Sequence, residues 1–112
     1  VPYKNKKDQA KASNRYYYKN KDKVRALNKA IIVRNKQYRE NILRNSQCID
    51  CGNNDIRVLE FDHVKGIKIK DISTLVRDSN SLKRIKEEIA KCEIRCANCH
   101  RIITQQRRIK AA

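Results

Sequence analysis

Apolar residues recur along the first part of the chain at the spacing of a helix. Val24, Leu27, Ile31, Tyr38 and Ile42 fall three, four or seven residues apart, and no Gly or Pro interrupts Lys21–Arg44. That stripe predicts a long helix. Asn20 is its expected cap, because a short side-chain oxygen can accept from the free amides of a first turn. The pattern then changes. "RVLEFDHV" (Arg57–Val64) carries Val58, Leu59, Phe61 and Val64 and reads as a strand, broken by Gly66. "DISTLV" (Asp71–Val76) returns to helical spacing through Ile72, Leu75 and Val76. So does "SLKRIKEEIAK" (Ser81–Lys91) through Leu82, Ile85 and Ile89, with Ser81 as cap. "CEIRC" (Cys92–Cys96) is short and extended, and "ANCHRIITQQRR" from Ala97 reads as a last helix. The class is α+β, mostly helical.

Charge divides the chain in two. Residues 1–45 hold 14 Lys/Arg against 3 acids, and residues 46–112 hold 14 against 9. All five cysteines, both histidines and both glycines lie in the second part, while the lone proline, Pro2, is at the start. The boundary is expected near Asn45–Gln47, with a basic helical arm over 1–45 and a cysteine-bearing domain over 46–112. Within the arm, "NRYYYKN" (Asn14–Asn20) sets three tyrosines among basic residues. It reads as a DNA-binding arm, against the plainer alternative of a solvated helix whose tyrosines pack on a neighbour. The fragment "YKNK" occurs at Tyr3–Lys6 and again at Tyr18–Lys21, too little to make a repeat.

The net charge of +16 on 112 residues calls for a polyanion. Nucleic acid comes first and an anionic membrane surface second. A membrane-binding helix would want Trp, Phe and Leu on a broad apolar face, and this chain has no Trp and one Phe. No apolar run is long enough to span a bilayer, and there is no signal-peptide pattern. The expected location is cytoplasmic, where thiols stay reduced, so five cysteines argue for metal before disulfides.

"CIDC" supplies Cys48 and Cys51, and "CANC" supplies Cys96 and Cys99. Two distant C-x-x-C pairs in a small chain are the pattern of a tetrahedral structural zinc site, each pair aiming two thiolates at one ion. Gly52 suits the tight turn after the first pair. The alternative is a set of buried or redox cysteines. Cys92 is spare: it could stand in for Cys96 as a ligand, although a buried strand cysteine is the simpler reading.

A four-thiolate zinc leaves His100, directly after Cys99, without a role there. His63 follows Asp62 in "FDH". If the strand bearing Asp62–His63 ran beside the last helix, Asp62 and His100 could converge on a hard divalent cation. Neighbouring residues on a strand point to opposite faces, so a bend or bulge would be needed to aim Asp62 and His63 into one cleft. Phosphodiester hydrolysis could use such parts: an imidazole to take a proton from water, and a metal to polarise the phosphate.

The ordered set "CIDCG…LEFDHV…CEIRCANCHR" resembles the zinc-containing HNH endonucleases, in the branch of the phage recombination endonuclease VII, over roughly residues 47–104. The resemblance implies a ββα-metal core, with a strand ending near His63, a second strand at Cys92–Arg95 and a helix carrying Cys99 and His100. It implies that His63 is the general base and that Asp62 and His100 hold a catalytic Mg²⁺ or Mn²⁺. One branch of the family has Asn where His100 stands. The middle Asn of the family, which orients the base, has no counterpart here, since neither Asn80 nor Asn98 aligns with it. The segment Gly66–Lys91 is longer than a minimal loop and is expected to form helices over the site or the DNA.

The reading is therefore a metal-dependent DNA endonuclease, phage-type, acting in the host cytoplasm on duplex or branched DNA. Arg95, Arg101, Arg107 and Arg108 are its candidate phosphate contacts. A homodimer through the tyrosine-rich helix is an open option for cutting both strands. The competing classes are a non-catalytic zinc-stapled nucleic-acid-binding module and a thiol redox protein.

Overall fold

The computed structural model describes residues 6–111, so Pro2, Tyr3 and the rest of the arm's first five residues lie outside the described region, together with residue 112. Six elements follow in order: α1 (Lys6–Arg44), β1 (Leu59–His63), α2 (Ile72–Arg77), α3 (Leu82–Ile89), β2 (Cys92–Cys96) and α4 (Ala97–Ala111). The α+β class holds, with helix dominating and a single two-stranded sheet among the described residues.

Helix α1 is longer than its apolar stripe predicts. Asn20 is not its cap. The residue sits inside the helix, where its Nδ2 donates to the Tyr16 carbonyl at 2.9 Å. A short polar side chain in a helix interior can bond back one turn in this way, and nothing in residues 6–20 breaks a helix. At the other end, the Ser46 hydroxyl donates to the Ile42 carbonyl at 2.6 Å and the Asn45 side chain donates to the Asn41 carbonyl at 2.8 Å, which closes the last turn.

Strands β1 and β2 pair antiparallel, residue against residue, from Leu59 opposite Cys96 to His63 opposite Cys92. Period-two alternation gives the ribbon two unlike faces. Leu59, Phe61 and His63 share one face with Cys96, Ile94 and Cys92, while Glu60 and Asp62 share the other with Arg95 and Glu93. The apolar face is covered by two small cores. Leu43 of α1 packs with Cys48, Leu59 and Cys96. Ile72, Leu75, Val76 and Ile85 of the α2–α3 pair pack with Tyr38, Phe61 and Cys92. The Ser81 cap forms as expected, its hydroxyl accepting from the Arg84 amide. The segment from Gly66 to Lys91 thus holds two helices on the His63 side of the ribbon.

Asn35 joins α1 to that pair. It is fully buried, and its Nδ2 donates to the carbonyls of Asn80 at 3.0 Å and Val76 at 3.5 Å. Its Oδ1 accepts from Arg34 at 3.0 Å. The packing face of α1 therefore centres on Asn35, Tyr38 and Leu43, whereas Leu27 of the apolar stripe is 62% exposed. Toward Lys6, α1 runs clear of the core with its side chains exposed. Helix α4 lies over the polar face of the ribbon and follows β2 without a loop.

Candidate functional site

The first knuckle, Cys48–Cys51, is held by its own backbone. The Cys48 amide donates to the Asn53 carbonyl at 2.8 Å and the Gly52 amide to the Cys48 carbonyl at 2.9 Å. Gly52 takes φ +76°, a conformation that a residue without Cβ adopts freely. The Ile49 amide donates to the Ile94 carbonyl at 2.9 Å, which fastens the knuckle to β2. The second knuckle spans the junction of β2 and α4. The ligand atoms of Cys48, Cys51, Cys96 and Cys99 all lie within 4.8 Å of one another. Cys51 Sγ and Cys96 Sγ are 3.7 Å apart, close to the ~3.8 Å edge of a tetrahedron with Zn–S bonds of about 2.3 Å.

The thiols interact as a charged cluster would. Burial alone would raise the Cys48 thiol, but the amides of Cys96, Cys51 and Asp50 outweigh it and draw the pKa down to about 6. Cys51 is raised by its neighbouring thiols against a lowering hydrogen bond from the Asn53 backbone, and Cys99 is raised chiefly by its bond to Cys96. The neighbouring thiols thus oppose ionisation of Cys51 and Cys99, which a cation held between them would relieve. The donor set and its spacing fit a structural metal such as zinc. Cys92 stays outside the cluster, its thiol pushed up to about 11 by burial and by the charge of Glu88.

Asp62 faces α4 and is 3% exposed. Arg95 donates to it at 2.7 Å, and Arg107 donates to both of its oxygens at 2.9 and 3.0 Å. Burial opposes ionisation, but Arg107 foremost, with His100 and Arg95, holds the carboxyl below its ordinary pKa. His100 Nε2 stands 3.4 Å from Asp62, and His100 Nδ1 stands 2.9 Å from Glu60. Cys99 and His100 are neighbours on a helix and so point about 100° apart, one toward the thiol cluster and one toward the carboxylates.

His63 lies on the opposite face, and the regular register contains no bulge to turn it toward Asp62. Its Nε2 is buried without a hydrogen bond, 3.4 Å from Glu88 Oε1. Glu88 is itself 2% exposed. Burial works against its charge, but the Ile69 amide at 3.0 Å and the Lys91 ammonium at 3.1 Å hold its pKa down.

A cleft of about 590 Å³ runs along the free edge of β1, where both faces of the strand can be reached. Its lining includes Arg39 and Arg44 of α1, Glu60 and His63 of β1, Asp71, and His100 of α4. A polar groove of about 720 Å³ continues from Glu60 and His100 along α4 past Arg101, Thr104, Gln105 and Arg108.

Among the expected residues, the structure joins Asp62 with His100, and His100 with His63 across the cleft. It does not gather Asp62, His63 and His100 at one point: among the described residues, the four cysteines form the only metal-sized cluster of three or more donors. A divalent cation could be shared across the 3.4 Å between Asp62 and His100, taking the place Arg107 has on the carboxylate. Arg95 is corrected as a phosphate contact. It is 8% exposed and each of its guanidinium nitrogens faces a carboxylate, of Asp50, Asp62 or Glu93, so its charge is paired and buried away from a phosphate. Arg107 is tied up on Asp62, while Arg101 and Arg108 remain exposed in the groove.

Sequence reasoning missed Glu60, Glu88, Arg39 and Arg44. Glu60 had a readable signal, since it sits two residues before Asp62 in a strand and must share its face. Glu88 had none, being an acid in an amphipathic helix whose burial depends on the tertiary fold.

No family model matches the chain, no curated protein matches it, and no solved structure matches it. No helix among the described residues is long and apolar enough to cross a membrane.

Proposed function

We propose that the chain is a metal-dependent DNA endonuclease of the HNH type that hydrolyses phosphodiester bonds. The observation that carries this reading is the cleft along β1, which has His63 and His100 in its lining beside Arg39 and Arg44. The imidazoles offer a base and the arginines a hold on a phosphodiester backbone, beside the acids Glu40, Glu60 and Asp71 of the same lining.

In this reading His63 is the general base. Its Nε2 is buried beside Glu88, so Nδ1 is the nitrogen that receives a proton from water. The water oxygen bonds to phosphorus as the bond to the 3′ oxygen breaks, leaving a 5′ phosphate and a 3′ hydroxyl. Arg39 and Arg44 draw the backbone into the cleft, and Arg101 and Arg108 hold its continuation along α4. Asp62 and His100 would hold Mg²⁺ or Mn²⁺, which supplies positive charge against the phosphate and the leaving oxygen. Such an ion needs few protein ligands, since it keeps several waters.

Glu88 fills the role left open by the missing middle Asn. Its Oε1 lies 3.4 Å from His63 Nε2 without a hydrogen bond, so it acts on the imidazole through its charge. Glu88→Gln keeps an acceptor for the Ile69 amide and removes the charge. It is expected to leave the fold and DNA affinity intact and to slow cleavage roughly 10–100-fold, the scale of losing an orienting partner. Unchanged turnover in a folded Glu88→Gln protein would remove Glu88 from the mechanism.

One observation favours the second reading, a non-catalytic zinc-stapled nucleic-acid-binding module. Both Asp62 oxygens already bond to arginines, as in a purely structural ion-pair network. Plasmid DNA decides between the two. Zinc-loaded protein with added Mg²⁺ or Mn²⁺ should nick or linearise it, and EDTA should stop the reaction. Folded, DNA-bound protein that cuts neither plasmid nor branched DNA with either ion would establish the binding module.

A further inference from the structure

Lys7, Lys11, Arg15, Lys19 and Lys23 form an unbroken row on α1, each four residues from the next and each exposed. Lys21, Arg25 and Lys29 form a second exposed row. Residues four apart are neighbours on a helix surface, and like charges at that spacing destabilise it. A solvated helix usually avoids this by alternating acids with bases, but residues 6–29 hold nine Lys/Arg against two acids, Asp8 and Asp22, which neighbour Lys11 and Lys19. At about 100° per residue the longer row winds about 160° around the helix, on the side away from Asn35 and Tyr38. Tyr18, 72% exposed, stands three residues from both Arg15 and Lys21 and adds a hydroxyl to the same surface.

The arrangement fits an extended row of phosphates. Four residues rise about 6 Å, a step comparable to that between neighbouring phosphates on one strand. An anionic membrane fits less well, because residues 6–23 contain no Leu, Ile, Val, Phe or Trp to anchor in lipid. The row is also far from the cleft. Arg39 lines the cleft, and Lys23 and Lys7 lie about 24 and about 48 Å up the helix from it.

We propose that α1 is a basic arm that grips duplex DNA roughly 7–14 base pairs from the phosphate in the cleft, at 3.4 Å per pair. The inference rests on the DNA-directed part of the proposed function and not on catalysis. It narrows the substrate to DNA that continues as a duplex for about one helical turn on the arm's side.

The test is binding of the full chain in EDTA, so that nothing is cut, to duplexes of about 10 and about 25 base pairs over a range of salt. Wild type is compared with Lys7→Gln/Lys11→Gln/Arg15→Gln/Lys19→Gln/Lys23→Gln, glutamine being a good helix former. Wild type should bind the longer duplex at least tenfold more tightly than the shorter, and the variant should lose that gain. The variant's affinity should also fall less steeply with salt, by about 0.9 log units per tenfold salt for each phosphate contact removed. Length-independent binding by wild type, a fully helical variant with wild-type affinity and salt slope, or preference for anionic vesicles over duplex would each overturn the arm. A protein that shows the length dependence but never cuts overturns the nuclease and leaves the arm standing. One that cuts without length dependence does the reverse.

Discussion

Replacing His63 with alanine is expected to lower DNA cleavage by roughly 10²–10⁴-fold, the range a general base contributes, while zinc content, fold and DNA affinity stay at wild-type levels. The fold should tolerate the change because His63 contributes little to it. The Nε2 atom makes no hydrogen bond, and the buried Glu88 keeps the Lys91 ammonium and the Ile69 amide when the imidazole is gone. Affinity should hold because the arginines of the cleft and groove and the cations of α1 are untouched. The measurement is initial nicking rate on supercoiled plasmid, beside far-UV dichroism, zinc content and a binding isotherm. Activity within threefold of wild type would end the case for His63 as the base. Loss of activity together with loss of fold would make His63 a packing residue.

Removing the metal from the thiol cluster should be still more damaging, this time to the fold. Structural zinc contributes on the order of 10 kcal/mol, comparable with the whole stability of a small domain. The described core is slight: two clusters of four buried residues each, one of which includes Cys48 and Cys96 themselves. Cys96→Ser, or a strong chelator, should therefore abolish cooperative thermal unfolding of the cysteine-bearing part and lose one zinc per chain. Cys92→Ser should keep the zinc, since Cys92 lies outside the cluster. A chelated protein that melts cooperatively at the wild-type temperature would show that the cysteines only pack. Zinc loss in Cys92→Ser would redraw the ligand set.

Local pattern was enough for most elements. Period two located β1, and helical spacing with a serine cap located α3, because each signal is complete within a few residues. The four cysteines were legible for the same reason: spacing within each pair implies a knuckle, and two knuckles imply one ion. The length of α1 was not, because the apolar stripe starts at Val24 while the helix extends back through a polar segment that needs no core to be helical. Long-range charge pairing was hidden as well. Arg95 and Arg107 look like free cations in sequence, yet their carboxylate on Asp62 is 33 and 45 residues away. Asn35 carries no local signal in its basic helix and is the polar clamp of α1. Each miss concerns a polar group whose partner is brought near only by the folded chain.

The passage from β2 into α4 without a loop leaves the chain no slack between metal and cleft. Cys96, Cys99 and His100 fall within five consecutive positions, so the thiol cluster sets the pitch at which His100 is presented. Side chains there can be exchanged while the spacing survives. One extra residue between Cys99 and His100 would leave the four sulfurs in place and swing the imidazole about 100° around the helix. Exchange of side chains in this stretch keeps the angle at which His100 leaves the helix, and a change of length does not.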